Sequence, residues 1–363
     1  MENGVKRALI AMSGGVDSSV AAALMVERGF ACIGVTMKLF HNEDVGVPKE
    51  HSCCSLDDSR DAARVAAALG MRHYVFNFSE GFREQVIDRF VKAYETGATP
   101  NPCIDCNRYM KFEKLYHRAR ELECDYVVTG HYARIDYDPQ RGRWLLRKGK
   151  NAAKDQSYVL CFMTQEQLAH TMFPLGDFAD KEEVRRLAAR HGFDNAEKAD
   201  SQDICFVQTG DYRDFIRSYT GKEYPPGPFI GPEGEVLGEH KGIIGYTIGQ
   251  RKGLGLALPE PLYVREKDVA SNEVRLSREA ALFSDTLLAE DVNWISLSPP
   301  APGTKLRVSA KPRYRAKETP ATAEVLEDGR IRVVFDEPVR AITAGQTVAL
   351  YDGELVVAGG IIV

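Results

Sequence analysis

Three short stretches of this chain carry residue types that do chemistry. The first is Ser13-Gly14-Gly15-Val16-Asp17-Ser18-Ser19. Its glycines let the backbone come close to a ligand, and the free N–H groups of a following helix would point at an anion. It ends in no Gly-Lys-Ser/Thr and contains no G-x-G-x-x-G, so it is neither of the two commonest phosphate loops. The second is Thr99-Pro100-Asn101-Pro102-Cys103-Ile104-Asp105-Cys106-Asn107, where two prolines stiffen a loop presenting a C-x-x-C pair just ahead of a helix. Cys106 is expected near that helix's N-terminus, where the dipole lowers a thiol's pKa and favours the nucleophilic thiolate. The third is Asp200-Ser201-Gln202-Asp203-Ile204-Cys205-Phe206, another cysteine in a polar loop. The plain structural readings are a Gly-Gly turn capped by Ser18 or Asp17, and cysteines buried as small hydrophobes. Cys32, Cys124 and Cys161 lie in apolar contexts and take that second reading.

The elements that must position these residues follow from periodicity. Ala8–Met12 reads as a buried strand, and Val20–Val26 as a helix that stops at Gly29. Ala31–Met37 is a second strand, a polar loop runs through His51, and a helix spans Asp57 to Leu69. His73–Phe78 is strand-like, Glu80–Tyr94 and Tyr109–Leu122 are helical, and Tyr126–His131 is a further strand. Strands alternating with helices imply an α/β domain, a doubly wound parallel sheet with ligands beyond the carboxyl ends of its strands. Pro139–Ser157 is a polar, basic connector, and Gln165–His191 adds two helices. Past Gly210 a Gly- and Pro-rich module carries Gly242–Arg251, and from Leu287 short alternating segments suggest a small β-barrel.

The 363 residues allow two or three domains, and eight cysteines are too sparse for a disulfide scaffold. There is no membrane-spanning apolar run and no leader pattern at the N-terminus, so a cytoplasmic protein is expected. A net charge of −5 means that any polyanion must meet a local basic patch. One candidate is Lys305–Lys317: if extended, Lys305, Arg307, Lys311, Arg313, Arg315 and Lys317 share a face without an acidic partner. Tyr314 there offers a stacking surface, and Pro312 would make this an edge strand or a bulge. A second patch comprises Arg141, Arg143, Arg147, Lys148, Lys150 and Lys154.

The first loop resembles the SGGxDS loop of ATP pyrophosphatases, which cleave ATP between the α and β phosphates and leave AMP on an acceptor oxygen. Taken with the two cysteine stretches, the chain resembles the tRNA-specific 2-thiouridylases over nearly its whole length. Ser13–Val20, Thr99–Asn107, Thr129–Arg134, Lys154–Tyr158, Asp200–Phe206, Tyr246–Leu254, Arg313–Arg315, Tyr351–Gly353 and Gly359–Ile362 match in order. The resemblance implies a sheet of the adenine-nucleotide α-hydrolase type in a catalytic domain over 1–209, a central module over 210–284 and a tRNA-contacting barrel over 285–363. It implies ATP at Ala11, Met12, Ser13, Gly14, Gly15, Val16, Asp17, Ser18, Met37 and Gly130, with Asp17 helping to hold Mg²⁺ or merely opening a helix. It implies a persulfide on Cys205, supplied by a sulfur donor or sulfur-relay protein and resolved by Cys106. tRNA would meet Asn101, Pro102, Cys103, Lys154, Asp155, Gln156, Arg313 and Tyr314, with the wobble uridine as target. Many relatives carry Asp where this chain has Cys103. Cys103, Cys106 and Cys205 could instead ligate a [4Fe-4S] cluster, or Cys103 and Cys106 could join Cys53 and Cys54 in a zinc site. A sulfur-independent adenylating ligase or amidotransferase, and an RNA-binding protein with a vestigial loop, are the competing functions.

Overall fold

The structure, a computed structural model, describes residues 4–41, 53–198, 204–207 and 211–363. The polar loop through His51 and the Asp200–Asp203 part of the third stretch lie outside the described residues, as do the side chains of Cys53 and Cys54.

The N-terminal sheet contains β1 (Arg7–Ala11), β2 (Ala31–Lys38), β3 (Arg72–Asn77) and β4 (Tyr126–Val128). After the antiparallel hairpin β5 (Ala133–Asp138) and β6 (Arg143–Lys148), β7 (Thr171–Met172) closes it in the order β3-β2-β1-β4-β7, all parallel. Leu9 and Ile10 are fully buried on opposite faces of β1, as a strand covered on both sides requires. The chain reverses direction across the sheet between β1 and β4, so the gap beyond their carboxyl ends is the natural ligand crevice. Helix α1 (Val16–Glu27) starts there, directly after the glycine loop.

A central sheet is ordered β10-β11-β8-β9, from β8 (Gly227–Ile230), β9 (Val236–His240), β10 (Tyr263–Asp268) and β11 (Glu273–Ser277). It packs on a helix over 79–95, and Phe82, Phe90, Phe206, Phe215 and Phe229 share that core. The last six strands are β12 (Phe283–Trp294), β13 (Lys305–Lys311), β14 (Thr319–Val325), β15 (Ile331–Arg340), β16 (Thr347–Asp352) and β17 (Leu355–Ile362). They close into an antiparallel barrel because β12 pairs with both β15 and β17.

Two readings are corrected here. The basic connector at Pro139–Ser157 contains the turn and second strand of the β5–β6 hairpin, which joins the barrel sheet where Leu355 pairs with Arg147. Pro312 marks neither an edge nor a bulge: β13 is paired on both sides, and Pro312 follows its last residue.

Candidate active site

The glycine loop is locked from three directions. Gly14 has φ +75, and a Cβ there would lie 2.3 Å from the Asp58 carbonyl oxygen of the neighbouring helix α2 (Cys53–Ala68). Asn195 Nδ2 donates to Gly14 O and to Ser19 Oγ, both at 2.9 Å. Lys198 Nζ binds Asp58 Oδ1 at 2.6 Å and Asp61 Oδ2 at 2.8 Å. Ser18 Oγ accepts from Ser13 N–H at 3.2 Å and donates to Gly15 O at 3.0 Å. Gly15 is the N-cap of α1 and has no side chain to cap it, so the first-turn N–H groups face the crevice. Ala11 ends β1 and Met12 follows it into the loop, and Met37 sits one residue before the end of β2 on the same rim. Gly130 follows β4 and packs on the first turn of α1, where a Cβ would meet Asp17 C at 2.8 Å and Ser18 N at 2.9 Å.

Asp17 does not present itself as a metal ligand. Lys181 Nζ binds its two oxygens at 2.6 and 2.7 Å, and Tyr132 Oη donates to Oδ1 at 2.8 Å. Among the described residues no three His, Cys, Asp or Glu side chains are grouped to hold a metal ion. A protein-held Mg²⁺ therefore does not fit these residues.

The thiols are brought together. Asn101 Oδ1 accepts the N–H of Cys103 at 3.1 Å and caps a helix that begins with Pro102. This helix turns π-helical over Cys106–Lys114, a rare geometry that recurs at functional sites. Cys205 is carried in by its neighbour: the buried Phe206 ring packs 5.2 Å from Phe90, 5.8 Å from Phe82 and 5.1 Å from Phe215. Burial, helped by the charges of Cys106 and Cys103 and opposed by Lys111, pushes the Cys205 thiol up to about 12. Burial likewise raises Cys106 and Cys103, again against Lys111. Cys103 and Cys205 keep exposed surface, so it is the density of protein around each thiol and not loss of solvent contact that disfavours the thiolate.

The expected lowering of the Cys106 pKa is thus overturned. Pro102 and Cys103 occupy the first turn, whereas Cys106 lies a turn deeper, beyond the dipole's reach, and desolvation dominates. A pH dependence follows. Below a thiol's pKa the thiolate fraction grows about tenfold per pH unit, so iodoacetamide should alkylate Cys205 ever faster from about pH 7 to about pH 10 without levelling. Peptide mass spectrometry reads this directly, and a plateau near pH 8 would refute the raised pKa of the thiol.

Several of the residues expected to meet RNA lie near one another and near the thiols. Tyr314, in the turn after β13, feels the charges of Asp155, Lys154 and Cys103. Its ring lies 5.7 Å from that of Tyr158, and Lys311 Nζ lies 5.5 Å from its centre. Arg313 acts electrostatically on Tyr158, and Gln156 Oε1 accepts from Tyr132 N–H at 3.0 Å. The two basic runs are less bare than their sequence suggests. Arg307 pairs with Asp336, Arg141 with Asp138, Arg147 with Asp136, Lys148 with Glu318 and Lys150 with Asp177. Arg313 and Arg315 lie beyond the end of β13, so no single six-charge stripe forms.

Sequence reasoning missed Lys111, Tyr132, Lys181, Asn195 and Lys198. Each gains its place from a partner far away in the chain, and no local spacing marks it.

Three family models match consecutive segments: one described as a tRNA methyl transferase HUP domain over residues 6–209, a tRNA methyl transferase PRC-barrel domain over 213–278, and an aminomethyltransferase beta-barrel domain over 284–362. A tRNA-specific 2-thiouridylase of Clostridioides difficile is 49% identical over 357 residues, covering 98% of each chain. One of Moorella thermoacetica is 52% identical over 354 residues, again covering 98% of each. One of Acetivibrio thermocellus is 49% identical over 358 residues, covering 98% of this chain and 99% of that protein.

Proposed function

The chain belongs to the tRNA-specific 2-thiouridylase family, and from that membership we propose that it thiolates the wobble uridine of tRNA at C2, using ATP. The supporting observation is that Cys106 and Cys205, from distant parts of the chain, lie within electrostatic range of each other and of a third thiol, Cys103, which in turn acts on Tyr314. We assign the nucleotide and sulfur steps to residues 1–209, with 285–363 contacting RNA beside them and 210–284 bracing the thiol helix.

The uridine C2 oxygen attacks the α-phosphorus of ATP, and the bond to pyrophosphate breaks. Ser13–Ser18 and the first turn of α1 cradle the phosphates, and Met37 and Gly130 flank the base and sugar side. A persulfide donor or sulfur-relay protein loads Cys205 with one sulfur. The Cys106 thiolate then attacks Cys205 Sγ, forming the Cys106–Cys205 disulfide and releasing hydrosulfide. Hydrosulfide adds at C2, the C2–O bond breaks, and AMP leaves. A dithiol reductant must return two electrons before the next turnover. Asn101, Pro102, Cys103, Lys154, Asp155, Gln156, Arg313 and Tyr314 hold the uridine, which a duplex would hide but an anticodon loop exposes.

Anaerobic purification with iron and sulfide analysis, then nucleoside mass spectrometry after reaction with tRNA, ATP and a persulfide donor, tests this reading. 2-Thiouridine without stoichiometric iron is expected. Iron near one cluster per chain and required for turnover would replace the relay by a [4Fe-4S] mechanism on Cys103, Cys106 and Cys205. A sulfur-free uridine adduct formed with ATP independently of both Cys106 and Cys205 would favour a sulfur-independent ligase.

Tyr314→Ala should raise the KM for tRNA about tenfold, within the ~1–3 kcal/mol that one base stack is worth, and leave the KM for ATP unchanged. Steady-state kinetics in each substrate decides it.

A further inference from the structure

We infer that the C-terminal barrel completes the sulfur site, with Asp291 as a positioning residue that sets Cys106 through Arg108. The inference rests on the proposed sulfur transfer and adds a role for the barrel besides RNA contact.

Arg108 stands two residues after Cys106 on the π-helical stretch, and its guanidinium grips Asp291 of β12 through both nitrogens, Nη2 to Oδ1 at 3.2 Å. The same guanidinium lies 4.7 Å from the centre of the Phe162 ring and 5.2 Å from that of Tyr109, so its orientation is constrained on its flat faces as well. Asp291 reaches it only because β12 departs from regular pairing: the register against β17 shifts between Glu290 and Asn293, and Asp291 has φ +49. A bulge of this kind re-aims one side chain, and a non-glycine residue held left-handed in a strand signals a constraint from outside the strand. The barrel also holds the loop that enters this helix. Thr99 N–H donates to Ala344 O at 3.0 Å, and Gln346 Nε2 donates to Thr99 O at 2.5 Å. Gly345 makes room for this, since a Cβ there would lie 2.9 Å from Ala98 Cβ. The barrel therefore grips the thiol segment both before Cys103 and after Cys106. Reacting sulfurs need placement within fractions of an ångström, so a tether this close to Cys106 acts on the transfer step.

Asp291→Gly separates placement from folding, because glycine relieves the left-handed strain while removing the carboxylate. Its Tm should equal or exceed that of the parent. Its kcat for thiolation should fall about tenfold with the KM for tRNA within about twofold. The effective concentration of Cys106 for Cys205, measured by disulfide formation in a glutathione buffer without tRNA or ATP, should fall by a similar factor. Asp291→Asn, which suits the backbone and keeps one acceptor, should lie between. Unchanged kcat and effective concentration, or a loss confined to the KM for tRNA, would overturn the inference. If the parent protein forms no Cys106–Cys205 disulfide, the relay reading fails, and the kcat comparison still decides the role of Asp291.

Discussion

Cys205→Ser should lose 2-thiouridine formation by at least about a thousandfold while keeping tRNA-dependent pyrophosphate release from ATP near the parent level. The expectation comes from the division of the crevice. The phosphate loop is built by β1, α1 and the Asn195 and Lys198 contacts, none of which involves Cys205. Serine can fill the position, but its oxygen cannot carry a transferable sulfur. Cys106→Ser should also lose product, yet for a different reason: the sulfur arrives on Cys205 and stays there, visible by mass spectrometry as one added sulfur atom on the Ile204–Val207 peptide. Cys103→Ser is the discriminating third variant. A relay between the other two thiols leaves its kcat near the parent value, with any loss confined to the KM for tRNA, whereas a three-cysteine cluster makes it as dead as the others. Pyrophosphate release that collapses in all three would mean that the thiols hold the nucleotide site together and do not form a separate step.

The second large effect is at Gly14. Gly14→Ala should weaken ATP binding at least about a hundredfold and lower the unfolding free energy by about 1–3 kcal/mol. Two causes act together. The backbone stands at φ +75, which an L side chain resists, and the new methyl group would lie 2.3 Å from Asp58 O and 2.8 Å from Asp58 C and Cα. Those are main-chain atoms of α2, so relief requires the helix or the loop to move, and Lys198 ties the two together. Gly15→Ala is the control. Gly15 has φ −89, and its nearest contact would be Ser13 Oγ at 3.5 Å. That variant should fold normally, and any loss of ATP affinity would report crowding of the phosphates and not backbone strain. Pyrophosphate exchange against ATP concentration, with thermal melting alongside, separates the two.

Much of this was legible in one dimension. A strand, glycine loop and helix start are written in periodicity and turn chemistry over about twenty residues, and β1, the loop and α1 sit where that pattern places them. The proline-stiffened C-x-x-C loop likewise opens a helix through its Asn101 cap. The reading went astray where a property depends on surroundings. The thiol of Cys106 was expected to be acidic from its place in sequence, but the core built by Phe206, Met110 and Phe82 desolvates it. The basic stripe at Lys305–Lys317 looked unpartnered because Asp336, the mate of Arg307, lies on the next strand but one in sequence.

By itself the order of residues determined the local devices: a phosphate cradle, two thiol loops, a run of short strands, and thereby the kind of chemistry available. Only tertiary structure decided that Cys205 comes within electrostatic range of Cys106, that Lys181 pairs with Asp17, and that a hairpin of the first domain and a strained Asp291 of the last knit the barrel to the thiol helix. The division has one physical cause. Caps, turns and periodicities act between residues a few positions apart, whereas desolvation and charge pairing act through space, between groups whose distance is unknown until the chain has closed on itself.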